Sequence, residues 1–138
     1  LVIVDRYVYS NIAFQCAKIQ KTVEKDKLRK WIKMLEYQYF KIPKPDLSLF
    51  LDVPFSFTKS KLKAERSGAD RKYLNGAKDI HEENMDFQNQ VRNEYLQLLE
   101  TEKDFHVIDC KSPKDEMLPS SKIFSKISDL LTKNNIFE

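Results

Sequence analysis

The sequence predicts an α/β fold in which helices flank a parallel sheet, and three observations lead there. Short apolar runs end in a carboxylate at Leu1–Asp5, Leu47–Val53 (LSLFLDV) and His106–Asp109. Longer segments with apolar residues at helical spacing stand between these runs. The chain holds 41% hydrophobic residues over 138 positions, which suits one core and is too short for two ordinary domains. Runs without a polar face fit central parallel strands, and strands alternating with helices fit crossover connections.

Taken in order, Leu1–Asp5 predicts a buried central strand. Ser10 or Asn11 can cap the following helix, on which Ile12, Ala13, Cys16, Ala17 and Ile19 recur at helical spacing. From Val23 to Tyr39, an amphipathic helix places Leu28, Trp31, Ile32, Leu35 and Tyr39 on one stripe. Lys25, Lys27, Arg29, Lys30, Lys33 and Glu36 fall mostly on its other faces. Pro43 and Pro45 end it and lead into the second strand. A helix is expected over Phe57–Arg66, then a charged surface loop over Ser67–Asp79 that carries both glycines. Phe87, Val91, Tyr95 and Leu98 mark a long helix, His106–Asp109 the third strand, and Ile123, Phe124, Ile127, Leu130 and Leu131 a final amphipathic helix.

Composition excludes several classes. The 24 basic residues are interspersed with 21 acidic ones for a net charge of +3, so no nucleic-acid stripe is indicated. No apolar run approaches a membrane span and no signal-peptide pattern is present, which predicts a cytoplasmic protein. Cys16 and Cys110 are far apart and lack partners at metal spacing, so both are expected to be reduced and partly buried. His81 and His106 have no nucleophile pattern around them. Trp31 and Tyr37–Phe40 are expected in the core or at a subunit interface.

Parallel sheets bind ligands outside the carboxyl ends of their strands, where Asp5 and Arg6 are placed. An Arg there can grip a phosphate through a bidentate, charge-assisted pair worth roughly 1.5–3 kcal/mol. Asp5 can hold that Arg or a magnesium-bound water. From these two residues alone, a strand-end ion pair is an equal reading.

Four stretches then fall in register: VDRYVYSNIAFQ, PKPDLSLFLDVP, DIHEENMDFQNQVRNEY and FHVID. Together they resemble the thymidylate kinases over nearly the whole chain. The first is similar to that family's DRY-x-x-S segment and the second to its Pro-Asp strand ending in Leu-Asp-Val-Pro. The third is similar to its post-lid helix and the fourth to its final strand. The resemblance implies a P-loop kinase-like three-layer sandwich over residues 1–138, with a lid at about 66–80. It also implies an N-terminal truncation, because the family begins with a G-x-x-x-x-G-K-[ST] phosphate loop and this sequence has no Gly before position 68. That loop supplies donors to the β- and γ-phosphates, so these 138 residues alone are expected not to transfer phosphate.

Carried over position by position, the resemblance makes Arg6 the holder of the dTMP phosphate. Asp5 becomes the acid that orients Arg6 and touches magnesium through water. Ser10, Asn11, Phe14 and Gln15 join Arg6 in substrate binding. Asn11 would meet the thymine edge, its alternative being a helix cap. Phe14 would crowd the sugar C2′, its alternative being a core aromatic. In the lid, Arg66 and Arg71 would be catalytic, with Lys72, Asp79 and Glu82 on the ATP side. For each basic residue a solvated loop is the competing reading, and for Asp79 and Glu82 a favourable place at a helix N-terminus. The complete protein is thus expected to be an ATP- and Mg2+-dependent dTMP kinase of dTTP biosynthesis. It is also expected to form a homodimer, with the Leu28–Tyr39 helix one candidate surface. A related nucleoside-monophosphate kinase, or a non-catalytic nucleotide-binding or dimerisation module, are the alternatives.

Overall fold

The computed structural model describes residues 2–63 and 85–136. It divides into two compact units, each built from two separate stretches of chain. One comprises Leu1–Ser48 with Asp86–Phe105, the other Leu49–Met85 with His106–Glu138.

The first unit is helical. Helix α1 (Val8–Cys16) is followed by α2 (Thr22–Lys33), which runs on through a π-helical turn over Met34–Tyr39. Helix α4 (Met85–Thr101) supplies the surface they bury against. Ala13, Ala17 and Val91 form a core to which Phe14, Phe87 and Tyr95 add their rings. Small residues on α1 allow the close approach, and Ile12, Ile32 and Leu98 are fully buried in the same unit. Phe105 closes one end, edge-on to Tyr9 with centroids 5.4 Å apart and stacked on Tyr95 at 6.3 Å.

Three expectations fail here for physical reasons. Val2, Ile3 and Val4 are 86%, 85% and 57% exposed and lie outside the sheet, so the expected central strand over Leu1–Asp5 is not formed. A strand exists through its ladder partners, and the sheet among the described residues has two strands, neither of them this run. Ser10 and Asn11 do not cap α1, which begins at Val8 with Tyr7 in the capping position and no side-chain cap. Their side chains are engaged elsewhere, as described below. On α2, Trp31 and Tyr39 face solvent, while Lys25, Arg29 and Lys33 turn inward. The cations are drawn in by acids on and just after α4: Lys25 Nζ lies 2.6 Å from Glu94 Oε1, and Lys33 Nζ lies 2.6 Å from Glu102 Oε1. Arg29 pairs with the second oxygen of Glu94 and also donates to Gln97.

The π-helical turn ends α2 as the prolines require. Phe40 N–H reaches back to the Leu35 carbonyl at 2.9 Å, and Lys41 then adopts φ 54° before Pro43.

In the second unit, β1 (Ser48–Asp52) pairs with β2 (Phe105–Asp109). Ser48 N–H donates to the Asp104 carbonyl at 2.7 Å and Cys110 N–H to the Asp52 carbonyl at 3.0 Å. Both partners advance in the same direction along the chain, so the pair is parallel. Helix α3 (Phe55–Lys63) follows β1, matching the start of the expected Phe57–Arg66 helix. Helix α5 (Ser120–Lys133) lays Ile123, Ile127 and Leu130 against Ile108 and Cys110. Asp52 is buried beside Val53 and is compensated by Lys111 Nζ at 2.8 Å. Both cysteines are free and buried. No helix among the described residues is long and apolar enough to cross a membrane.

Candidate functional site

The site is built where the chain turns into α1. Asp5 and Arg6 are exposed, and Arg6 adopts φ 63°, a left-handed conformation that costs a side-chain-bearing residue about 1–2 kcal/mol. Tyr7 returns to extended backbone, and Val8 begins the helix. The Tyr7 hydroxyl donates to the Pro43 carbonyl at 2.9 Å, which ties the loop after the π-helical turn to this corner.

The kink brings the Arg6 side chain back over α1. Its guanidinium carbon lies 5.2 Å from the centre of the Phe14 ring. Phe14, two turns along the helix, is set in turn by an edge contact with Phe87 of α4, with centroids 6.1 Å apart. Tyr95, further along α4, is hydrogen-bonded to Ser10 and lies within the electrostatic reach of Arg6 and Asp5. Burial pushes its hydroxyl above the ordinary tyrosine value, and the Ser10 hydrogen bond and the Arg6 charge work against that rise.

Of the expected site residues, the structure brings together Asp5, Arg6, Ser10 and Phe14. Asn11 is exposed on the same helix, and its Nδ2 donates to Glu36 Oε1 at 3.3 Å. Gln15 is also exposed, with Oε1 accepting from Lys18 Nζ at 3.5 Å. Arg66, Arg71, Lys72, Asp79 and Glu82 lie outside the described residues, as does the expected lid over 66–80. Two members of the site were not singled out from sequence as such. Tyr95 reads as one more apolar position on the α4 stripe, and Glu36 as a surface charge. The four-residue step from Val91 to Tyr95 was the available sign that the tyrosine ring faces α1.

No group of three or more His, Cys, Asp or Glu suited to a metal occurs among the described residues. A lone carboxylate such as Asp5 suits magnesium held largely by waters and phosphate oxygens, which is the habit of that ion.

A family model described as thymidylate kinase matches residues 1–120. The chain belongs to the thymidylate kinase family. Among curated proteins, it is 35% identical to a probable thymidylate kinase 1 of Saccharolobus solfataricus over 127 residues, 91% of this chain and 55% of that protein. It is 30% identical to a thymidylate kinase of Mycobacterium tuberculosis over 99 residues, 71% of this chain and 44% of that one. The chain therefore spans about half the length of the curated relatives it matches. No solved structure matches. The mixed α/β architecture with a parallel strand pair agrees with a thymidylate kinase fold.

Proposed function

We propose that the complete protein transfers the γ-phosphoryl group of ATP to dTMP, and that Asp5, Arg6, Ser10, Asn11 and Phe14 form the dTMP side of its site. The observation that carries this reading is the corner at α1, where a strained backbone aims an exposed arginine across an aromatic ring. Family membership supplies the reaction class, and both relatives are named as thymidylate kinases.

In this reading the planar guanidinium of Arg6 takes two phosphate oxygens of dTMP, and Asp5 orients it. Glu36 holds the Asn11 amide through Nδ2, which leaves Oδ1 as acceptor for thymine N3–H. Phe14 offers its ring to the sugar, and Gln15 stands at the outer margin of the base. Magnesium, with Asp5 reached through water, supplies charge neutralisation on the phosphates when bound. Arg66, Arg71 and Lys72, with Asp79 and Glu82, are assigned to the ATP side. The protein would act in the cytoplasm as a homodimer.

Coupled turnover of ATP and dTMP by the full-length protein tests the reading. Arg6→Ala is expected to lower kcat/KM for dTMP about 10- to 100-fold, the loss of one charge-assisted pair. Turnover unaffected by that change would remove Arg6 from the site. Faster turnover with a non-thymine pyrimidine monophosphate would move the assignment to a related nucleotide kinase.

A further inference from the structure

We propose that Glu36 is a positioning residue for base selection: it fixes which way round the Asn11 amide stands, and so favours thymine or uracil over cytosine. This rests on the dTMP reading above, which places Asn11 at the thymine edge, and deepens it. Asn11 is exposed on α1, with Nδ2 donating to Glu36 Oε1 at 3.3 Å. One end of an asparagine amide accepts and the other donates, and a half-turn exchanges them to suit either kind of base. A carboxylate beside it removes that freedom. An ionised carboxylate only accepts, so Nδ2 must face Glu36 and Oδ1 must face away.

The pattern left for a ligand then has a definite sense. Oδ1 accepts from N3–H, and the second Nδ2 hydrogen serves the C4 carbonyl, an edge that thymine and uracil share. Cytosine carries the inverse edge, an acceptor at N3 and an amino group at C4, and would meet both Asn11 groups like to like.

The backbone of Glu36 is itself held. It sits within the π-helical turn, where Phe40 N–H closes on the Leu35 carbonyl at 2.9 Å and Ile42 N–H on the Glu36 carbonyl at 3.2 Å. Asn11 N–H donates to the Tyr7 carbonyl at 3.2 Å, and the Tyr7 hydroxyl in turn donates to the Pro43 carbonyl. The start of α1 and the exit of the π-helical turn are thus tied together beside the Glu36–Asn11 pair, all within one compact unit. Turns of this kind inside helices are frequent at functional sites.

The test measures kcat/KM of the full-length protein for dTMP, dUMP and dCMP with ATP. Glu36→Gln keeps the size of the side chain but donates as well as accepts, which lets the Asn11 amide turn over. It is expected to raise the dCMP-to-dTMP ratio about 3- to 10-fold, with an absolute gain for dCMP, while the dUMP-to-dTMP ratio stays at its wild-type value. In an Asn11→Ala background the same change should leave the dCMP-to-dTMP ratio where Asn11→Ala alone puts it. A dCMP-to-dTMP ratio that does not move in Glu36→Gln, whether or not all three rates fall together, overturns the proposal. Proton NMR of the wild-type protein needs neither a folded variant nor a nucleotide: one Asn11 Nδ2 proton is expected downfield of the ordinary side-chain amide range, and its absence also overturns it. Asn11→Ala separates the two readings. If that variant keeps the wild-type dCMP-to-dTMP ratio, the base does not meet Asn11 and the dTMP reading of this corner falls with the proposal; if the ratio moves there and not in Glu36→Gln, the role of Glu36 alone falls.

Discussion

At the scale of single residues, Glu94 is the most consequential group outside the site. Its carboxylate is 2% exposed and receives both Lys25 and Arg29, so one buried anion compensates two largely buried cations. Removing the middle member of such a network takes the buried anion away from both cations and leaves Arg29 with only the exposed Asp26 as an ionic partner, which costs far more than a surface ion pair contributes. Glu94→Ala is expected to destabilise the protein by about 3 kcal/mol, read from the midpoint of urea denaturation with the slope unchanged. The network also shows where sequence reading stops. Lys25, Arg29 and Lys33 recur every four residues and so share one helical stripe, which the pattern itself reveals. Because charged stripes usually face solvent, the sequence places these residues mostly on faces other than the apolar stripe. Only the tertiary placement of Glu94 and Glu102 opposite it reverses the assignment.

At the scale of elements, helix identity was legible because it rests on local periodicity. The long helix marked by Phe87, Val91, Tyr95 and Leu98 forms over Met85–Thr101, and the last amphipathic run forms α5. Strands were legible where two runs pair: LSLFLD and FHVID pair with each other, whereas Val2–Val4 do not enter the sheet among the described residues. For the candidate site, Asp5 and Arg6 are legible from their place after the first apolar run, and Ser10 and Phe14 through a family resemblance. Tyr95 escaped because its hydroxyl partner lies on another helix. The meeting of α1 and α4 depends on small side chains. Ala13 is fully buried against the Val91 cluster, so there is no room for a larger one. Ala13→Leu is therefore expected to cost about 1–3 kcal/mol through overpacking, visible as a lower Tm. An unchanged Tm would mean that α1 and α4 are less closely packed than described.

At the scale of the whole molecule, the exposed Val2-Ile3-Val4 run is expected to drive association. Unpaired apolar backbone of this kind recruits other chains through the same hydrogen bonds that build a sheet. These 138 residues in isolation are expected to self-associate with rising concentration, and Ile3→Lys to reduce the weight-average mass seen by sedimentation. Equal sedimentation of the two would place the association elsewhere.

The division of each unit between two chain stretches has a consequence for biosynthesis. Helices α1 and α2 emerge from the ribosome well before α4, the helix that buries Ala13 and pairs Arg29. At about 5–20 residues per second, the nascent chain leaves Ala13 uncovered, and Lys25 and Lys33 without Glu94 and Glu102, for several seconds. Neither unit can be completed in order of synthesis, since the return stretch of each lies beyond part of the other. Completion of the first unit is thus deferred until residue 105 has cleared the exit tunnel.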